Sequence, residues 1–325
     1  MLYRKLGYTG FDTSLLGFGT WQLGNQRWAL PANTDSVRLL QEAHDLGVNV
    51  YDVAVVYGQY LDTQGYLQSK SQEILGKAFA KQRDRVIYCL KLGQFDEYSH
   101  RHDYNPKRLV EQFQQSLRRL QTDYVDICLI HAPSLQEVKS QKAISVLQTL
   151  QALGHIRMIG YSFEAEPEHT LHAIQQQIDV IMLQYNLLDQ ECASAIEQAR
   201  LHGVGVLAGG PFKRGYLTGK YRNLGELPAE DDYWQWNLKL NKNKIQQQLL
   251  RVNALLDEYG SPENLRHAAL QFILNQAGVA SCIVGHRSIA EVKENLRFVK
   301  ELLSIVQPVA LQIQETHESK MLMSA

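Results

Sequence analysis

The sequence predicts an α/β protein whose eight parallel strands close into a (β/α)8 TIM barrel, with an N-terminal β-hairpin and a C-terminal extra helix. Three observations lead there. Short apolar runs of strand length alternate with longer segments of helical apolar spacing, from about residue 14 to about residue 303. Counted from the Ser14 run, the strands number eight. Several runs also close on a residue with acid, base or hydrogen-bonding chemistry, and a parallel barrel exposes its functional groups at those strand ends. A doubly wound sheet fits less well, because no Gly-x-Gly-x-x-Gly turn follows the first strand.

The elements follow in order. Residues 2–12 read as a hairpin whose turn is Leu6-Gly7-Tyr8-Thr9-Gly10, placed to plug the bottom of the barrel. Ser14 to Thr20 is the first core strand. Thr34 or Asp35 caps a helix running to about Leu46, with Val37, Leu40, Ala43 and Leu46 on its apolar face. Gly47 ends that helix, and the next strand carries Asp52, then Tyr57 and the turn glycine Gly58. Helix and strand then alternate: helix 71–81, strand 85–91, helix 106–120, strand 124–130, helix 135–153, strand 156–161, helix 166–176, strand 179–184, helix 189–202, strand 203–208. Helices over 240–259 and 262–277, a strand over 280–284 and a helix over 288–303 complete the pattern. Residues 1–325 read as one domain, with a helix over 309–317 inside a C-terminal tail of about 309–325. Two connections, 59–70 and 221–241, exceed the usual strand-to-helix length. Both are expected on the active face, covering part of the pocket, with Tyr60, Trp234 and Trp236 as aromatic contributors beside Trp21, though 59–70 reads equally as solvated decoration.

Composition narrows the function. Apolar residues make up 45% and charged residues 21%, the balance of a soluble globular chain. Lys and Arg total 33 against 34 for Asp and Glu, so net charge gives no reason to expect nucleic acid or an anionic membrane as partner. No apolar run reaches the roughly 18 residues of a spanning helix. Met1-Leu2-Tyr3-Arg4-Lys5 lacks the apolar core of a signal peptide. The four cysteines, Cys89, Cys128, Cys192 and Cys282, form no Cys-x-x-Cys pair and read as free thiols of a cytoplasmic protein.

The chemistry is carried by Asp52, Tyr57, Lys91 and His131. A phenol has an ordinary pKa of about 10, so as an acid at neutral pH it needs a cation beside its oxygen. A buried cation in turn needs a carboxylate. Lowering a phenol by about 2 units takes roughly 2.7 kcal/mol, within reach of a close ammonium in a partly dry site. Each of the four has an ordinary alternative: packing for the Tyr, a solvated surface for the Lys, a turn or cap for the Asp, a core position for the His. Their succession at strand ends favours a shared site. No metal is expected, since His131 has no partner His or Cys at ligand spacing. Residues 208–220 are glycine-rich with Lys213 and Arg214, and a helix starting near Ser288 follows Arg287. The first stretch reads equally as an anion site or as a flexible glycine-rich surface loop, and the second as an anion site or an ordinary helix start with an exposed Arg.

This text resembles the aldo-keto reductase family. The likeness rests on Asp52-Val53-Ala54-Val55-Val56-Tyr57-Gly58, on Leu90-Lys91-Leu92-Gly93, on Leu129-Ile130-His131 and on the stretch from Ser116 to Asp126. It extends from Leu6-Gly7 to Glu294-Asn295. The resemblance implies an NAD(P)(H)-dependent oxidoreductase acting on an aldehyde, ketone or sugar. Tyr57 would be the proton donor, Lys91 and Asp52 its support, and His131 the group that orients the carbonyl. It implies substrate contacts from Trp21, Tyr57 and His131. Cofactor contacts would come from Gly19, Thr20, Ser162, Gln184, Gly210, Pro211, Phe212, Lys213, Arg214, Gly215, Gly285, Arg287, Glu294 and Asn295. It places NADP(H) ahead of NAD(H), with Arg287 as the 2′-phosphate ligand. Four departures stand against the family pattern. Phe163 follows Ser162 where Asn is usual, and Met182 stands where Gln is usual. Gly209 and Gly210 replace a stacking aromatic, and Glu291 replaces a base used by some members. Phe163, Met182 and Gly209 keep a second implication open, a nicotinamide-binding sensor on the same barrel with little turnover, while Glu291, an acid that would repel a 2′-phosphate, leaves NAD(H) open beside NADP(H).

Overall fold

A computed structural model describes residues 3–24, 35–96, 101–228 and 232–302. Strands β1 (Tyr3–Lys5) and β2 (Asp12–Ser14) form the antiparallel hairpin. Strands β3 (Leu16–Gly19) and β4 (Val50–Ala54) enter the core, and β5 (Gln59–Leu61) with β6 (Leu67–Ser69) makes a second hairpin. Strand β7 (Ile87–Leu92) returns to the core, and β8 (Gln94–Asp96) pairs with β9 (Arg101–His102) in a third hairpin. Strands β10 (Val125–His131), β11 (Ile156–Ser162), β12 (Val180–Gln184), β13 (Gly205–Gly209) and β14 (Val279–Gly285) complete the set. The eight core strands close in the order β10-β11-β12-β13-β14-β3-β4-β7, every neighbour parallel.

Outside the strands lie α1 (Ser36–Asp45), α2 (Lys70–Phe79), α3 (Pro106–Leu120), α4 (Leu135–Ser140), α5 (Lys142–Ala152), α6 (Pro167–Ile174), α7 (Ala193–Leu201), α8 (Asp232–Tyr259), α9 (Pro262–Asn275) and a helix over 289–302. Their starts obey local chemistry. The Asp35 carboxylate accepts from the Val37 and Arg38 amides, and Asn105 caps α3 with Pro106 at its first position. The helix expected over 135–153 is two helices, because Gln141 adopts a left-handed φ of 58° between α4 and α5. The connection expected over 221–241 turns helical already at Asp232, with a break at Asn241. Residues 303–325, including the expected helix over 309–317 and the tail, lie outside the described residues. Among the described residues no helix is long and apolar enough to cross a membrane.

Side chains alternate along each strand, and that period of two builds the barrel. Outward residues such as Tyr51, Val53, Tyr88, Leu90, Cys128 and Ile130 pack under the helices. Inward residues Val50, Ile87, Cys89, Ile127, Leu129, Met158, Val180 and Leu207 fill the lower interior. Leu6, fully buried in the hairpin turn, joins this inner cluster, with Phe11 packed against it, so the hairpin closes the bottom. Gly160 is obligatory: a Cβ there would overlap the Val180 carbonyl where β11 meets β12. At the same lower end Asp126, buried, accepts from Arg83, Arg157 and the Tyr88 amide and ties three neighbouring segments together.

Candidate active site

The inward rows change character near the tops of the strands. Two residues above Val50 comes Asp52; above Cys89, Lys91; above Leu129, His131; above Met182, Gln184. A cavity of ≈ 600 Å³ opens over this level, within the size range of small-molecule sites. Every barrel strand contributes to its wall, through Gly19, Asp52, Lys91, His131, Ser162, Gln184, Gly209 and Gly285.

Lys91 is the hub. Its Nζ donates to Asp52 Oδ2 at 2.9 Å and to the Tyr57 hydroxyl oxygen at 2.6 Å, and lies 3.8 Å from Met182 Sδ. Burial works against the Lys91 charge, but Asp52 and Tyr57 outweigh it and hold the ammonium well above its ordinary pKa. Burial raises the Asp52 carboxyl, and Lys91 pulls it back. The Tyr57 and His131 rings meet edge to face with centroids 6.4 Å apart, and Trp21 lies 6.3 Å from Tyr57 on another side. The four expected catalytic residues therefore converge on one wall.

Backbone contacts fix these groups. Tyr57 sits in the turn after β4, where its amide donates to the Ala54 carbonyl and its own carbonyl accepts from Ser69 Oγ at 2.8 Å. Gly58 has φ +63°, and a Cβ there would crowd the Gly24 carbonyl. The Tyr104 hydroxyl lies 2.8 Å from the His131 carbonyl and 2.9 Å from that of Ala132, clamping the turn that follows the histidine. Tyr104 carried no sequence signal, since its partners are main-chain atoms of another segment.

The expected cofactor residues divide. Gly19, Ser162, Gln184, Gly210, Pro211, Phe212, Arg214, Gly215, Gly285, Arg287, Glu294 and Asn295 line the cavity. Thr20 and Lys213 do not. Thr20 is fully buried and its hydroxyl donates to the Asp52 carbonyl at 2.8 Å, so it supports β4 from behind. Lys213 is drawn away by an ion pair with Asp189. Asp189 is also bonded by Asn186, whose amide donates to the Gly210 carbonyl as well, so this cluster anchors the loop after β13. In that loop Lys213, Arg214 and Gly215 all have positive φ, which aims successive segments around the cavity rim.

The aromatic candidates divide too. Trp21 and Trp234 are in the wall, Trp234 buried against Tyr216 at the start of α8. Tyr60 and Trp236 are not. None of residues 59–70 reaches the wall, which corrects the expectation for that connection. The β5–β6 hairpin lies instead against α2 and α3: the Tyr60 hydroxyl donates to Glu73, and Arg119 donates to Gln68 and to the Leu67 carbonyl. Gln94 and His102 of the β8–β9 hairpin supply the cover, and no sequence signal marked them. Phe163 and Met182, noted as departures, do form wall, with Phe163 buried.

Away from Tyr57 the cavity reaches the start of the helix over 289–302. There Arg287, Glu291, Glu294, Asn295 and Arg266 form the wall. Asn295 bonds to Nε2 of the buried His286 at 3.1 Å. Arg214, Lys220, Arg266 and Arg287 run along this half together with Glu291 and Glu294, so its charge is mixed. At the other end Asp52 Oδ1 is buried without a hydrogen-bond partner among the described residues, an acceptor that fits a donor group of a ligand.

The chain is similar to known proteins in sequence and in fold. A family model described as Aldo/keto reductase family covers residues 15–312. The aldo-keto reductase YhdN of Bacillus subtilis is 32% identical over 303 residues, spanning 90% of this chain and 87% of that protein. A probable voltage-gated potassium channel subunit beta of Arabidopsis thaliana is 25% identical over 344 residues, spanning 98% of each. The structure of aldo-keto reductase AKR11C1 from Bacillus halodurans, in holo form, superposes with a TM-score of 0.69 at 30% identity, covering 92% of this chain and 91% of that one.

Proposed function

The chain belongs to the aldo/keto reductase family, and from that premise we propose that it moves a hydride between a nicotinamide dinucleotide and the carbonyl or alcohol carbon of an aldehyde, ketone or sugar. The observation that carries the reading is the Lys91 Nζ bonded at once to Asp52 and to the Tyr57 oxygen, with the His131 ring across from that phenol.

The cofactor, when bound, supplies or accepts the hydride. The chain supplies the rest. Lys91 donates into the Tyr57 oxygen, so the phenolic proton is not spent on that contact and is directed to the substrate oxygen. As the proton leaves, the ammonium stabilises the phenolate, and Asp52 keeps the ammonium charged. His131 donates to the same substrate oxygen and fixes the carbonyl plane. Trp21 and Phe163 exclude water around it, which strengthens each of these interactions. Gly19, Ser162, Gln184, the 210–215 loop, Gly285, Arg287, Glu294 and Asn295 are the residues that would hold the dinucleotide. Tyr57→Phe keeps the ring and removes the proton. Turnover of a panel of aldehydes should fall by about a hundredfold or more, with cofactor affinity by fluorescence titration little changed. Near-normal turnover would defeat the assignment.

A second reading has one observation in its favour. Where the family presents polar or aromatic groups, this wall presents the Met182 thioether and Gly209. Such a site could hold a nicotinamide without efficient turnover, as a sensor, and one relative is named a probable channel subunit. Tight cofactor binding with no turnover of any carbonyl or sugar in the panel would favour it.

A further inference from the structure

The distal end of the cavity is built around a carboxylate, where an anion site would need a vacancy. Backbone N–H groups at a helix start attract an anion. At the start of the helix over 289–302 that anion is part of the chain. Glu291 Oε2 accepts from the Arg287 amide at 2.8 Å, and Oε1 lies 4.0 Å from Arg287 Nη2. The Glu291 amide in turn donates to Ser288 Oγ at 3.3 Å, so this residue is held through both backbone and side chain. The second guanidinium of this end, Arg266, is bonded to Glu294 at 2.6 Å. Each arginine here is thus matched by its own carboxylate.

We propose that Glu291 makes this end select an unphosphorylated ribose, so that the chain takes NAD(H) in preference to NADP(H). The inference rests on the dinucleotide reading above, and it reverses the order that family resemblance alone suggests. A 2′-phosphate carries about −1.5 to −2 charges at neutral pH. To use Arg287 and the helix start it must displace Glu291 or stand beside it, carboxylate against phosphate in a partly buried site. A ribose diol meets no such conflict. Its hydroxyls are donors, and a carboxylate is an acceptor for them. Lys220 also lines the cavity and keeps a positive charge in it, so NADPH binding is weakened and not abolished.

The test is isothermal titration of the wild-type chain and of Glu291→Gln with NADH and with NADPH. Gln keeps an acceptor for the Arg287 amide and removes the charge. The wild type should bind NADH about tenfold or more tighter than NADPH, and the variant should gain about tenfold for NADPH with NADH changed by less than about threefold. NADPH binding the wild type as tightly as NADH, or a ratio that the variant leaves unchanged, overturns the role of Glu291. Failure of both dinucleotides to bind the wild type is a different outcome: it removes the dinucleotide reading itself, and this inference with it.

Discussion

Lys91 shows how one side chain is committed by three neighbours. It is about 4% exposed, as is Asp52, so neither charge has water to fall back on. Removing one partner of a buried pair leaves the other stranded, at a cost of about 3–5 kcal/mol, whereas removing both is far milder. Lys91→Met should therefore lower unfolding free energy in urea by about 3 kcal/mol, and Asp52→Asn added to it should restore a good part of that loss. Additive losses would mean the two charges do not depend on each other. At this scale the sequence was most legible where chemistry forced a choice. A phenol that must act as an acid demands a cation, and a buried cation demands a carboxylate, so Asp52, Tyr57 and Lys91 could be sought together. The ion pair of Lys213 is not legible in the sequence, because its partner Asp189 lies on a different connection, and a cation two residues beyond Pro211 looks the same whether it faces a ligand or a neighbour. Tyr104 is invisible for the related reason that it acts on backbone carbonyls, which leave no trace in residue type.

At the scale of elements, period and caps carried most of the information. Helix α3 runs from Pro106 to Leu120, as its spacing and Asn105 cap require, and the barrel strands fall within a residue or two of their apolar runs. The break at Gln141 escaped because neither Gly nor Pro marks it. The helical start at Asp232 escaped because Trp234 is buried by tertiary contact with Tyr216 and Tyr221, not by the periodicity of its own segment. The two small hairpins teach opposite lessons. The insertion after Tyr57 looked like a lid by length, yet it leans on α2 and α3. The β8–β9 hairpin drew no notice and reaches the cavity. Shortening the β5–β6 tip, with residues 62–65 replaced by Asn-Gly, should accordingly leave kcat/KM for any accepted carbonyl within about threefold, since loop tips tolerate change. A loss confined to KM would show that the hairpin contacts substrate after all.

At the scale of the whole molecule, stability should carry the mark of His286. Burial pushes this imidazole down to about 3 from 6.5, so the folded chain keeps it neutral while the unfolded chain protonates it in the intervening range. The unfolded state then binds more protons, so this contribution is complete above about pH 6.5 and is lost as pH falls toward 3, at most on the order of 5 kcal/mol. Urea midpoints measured from pH 7 to pH 4.5 should fall more steeply for the wild type than for His286→Gln; parallel curves would mean that His286 is not the group responsible. The closed strand order has a wider consequence. Asp52, Lys91 and His131 stand on three strands that are immediate neighbours, so the distances between them are multiples of the pitch of main-chain pairing and owe little to the connections above. The rim is thus a replaceable fitting on a fixed gauge. Segments grafted from a relative would change which molecules fit the cavity, while these three groups keep the spacing that the backbone ladder imposes.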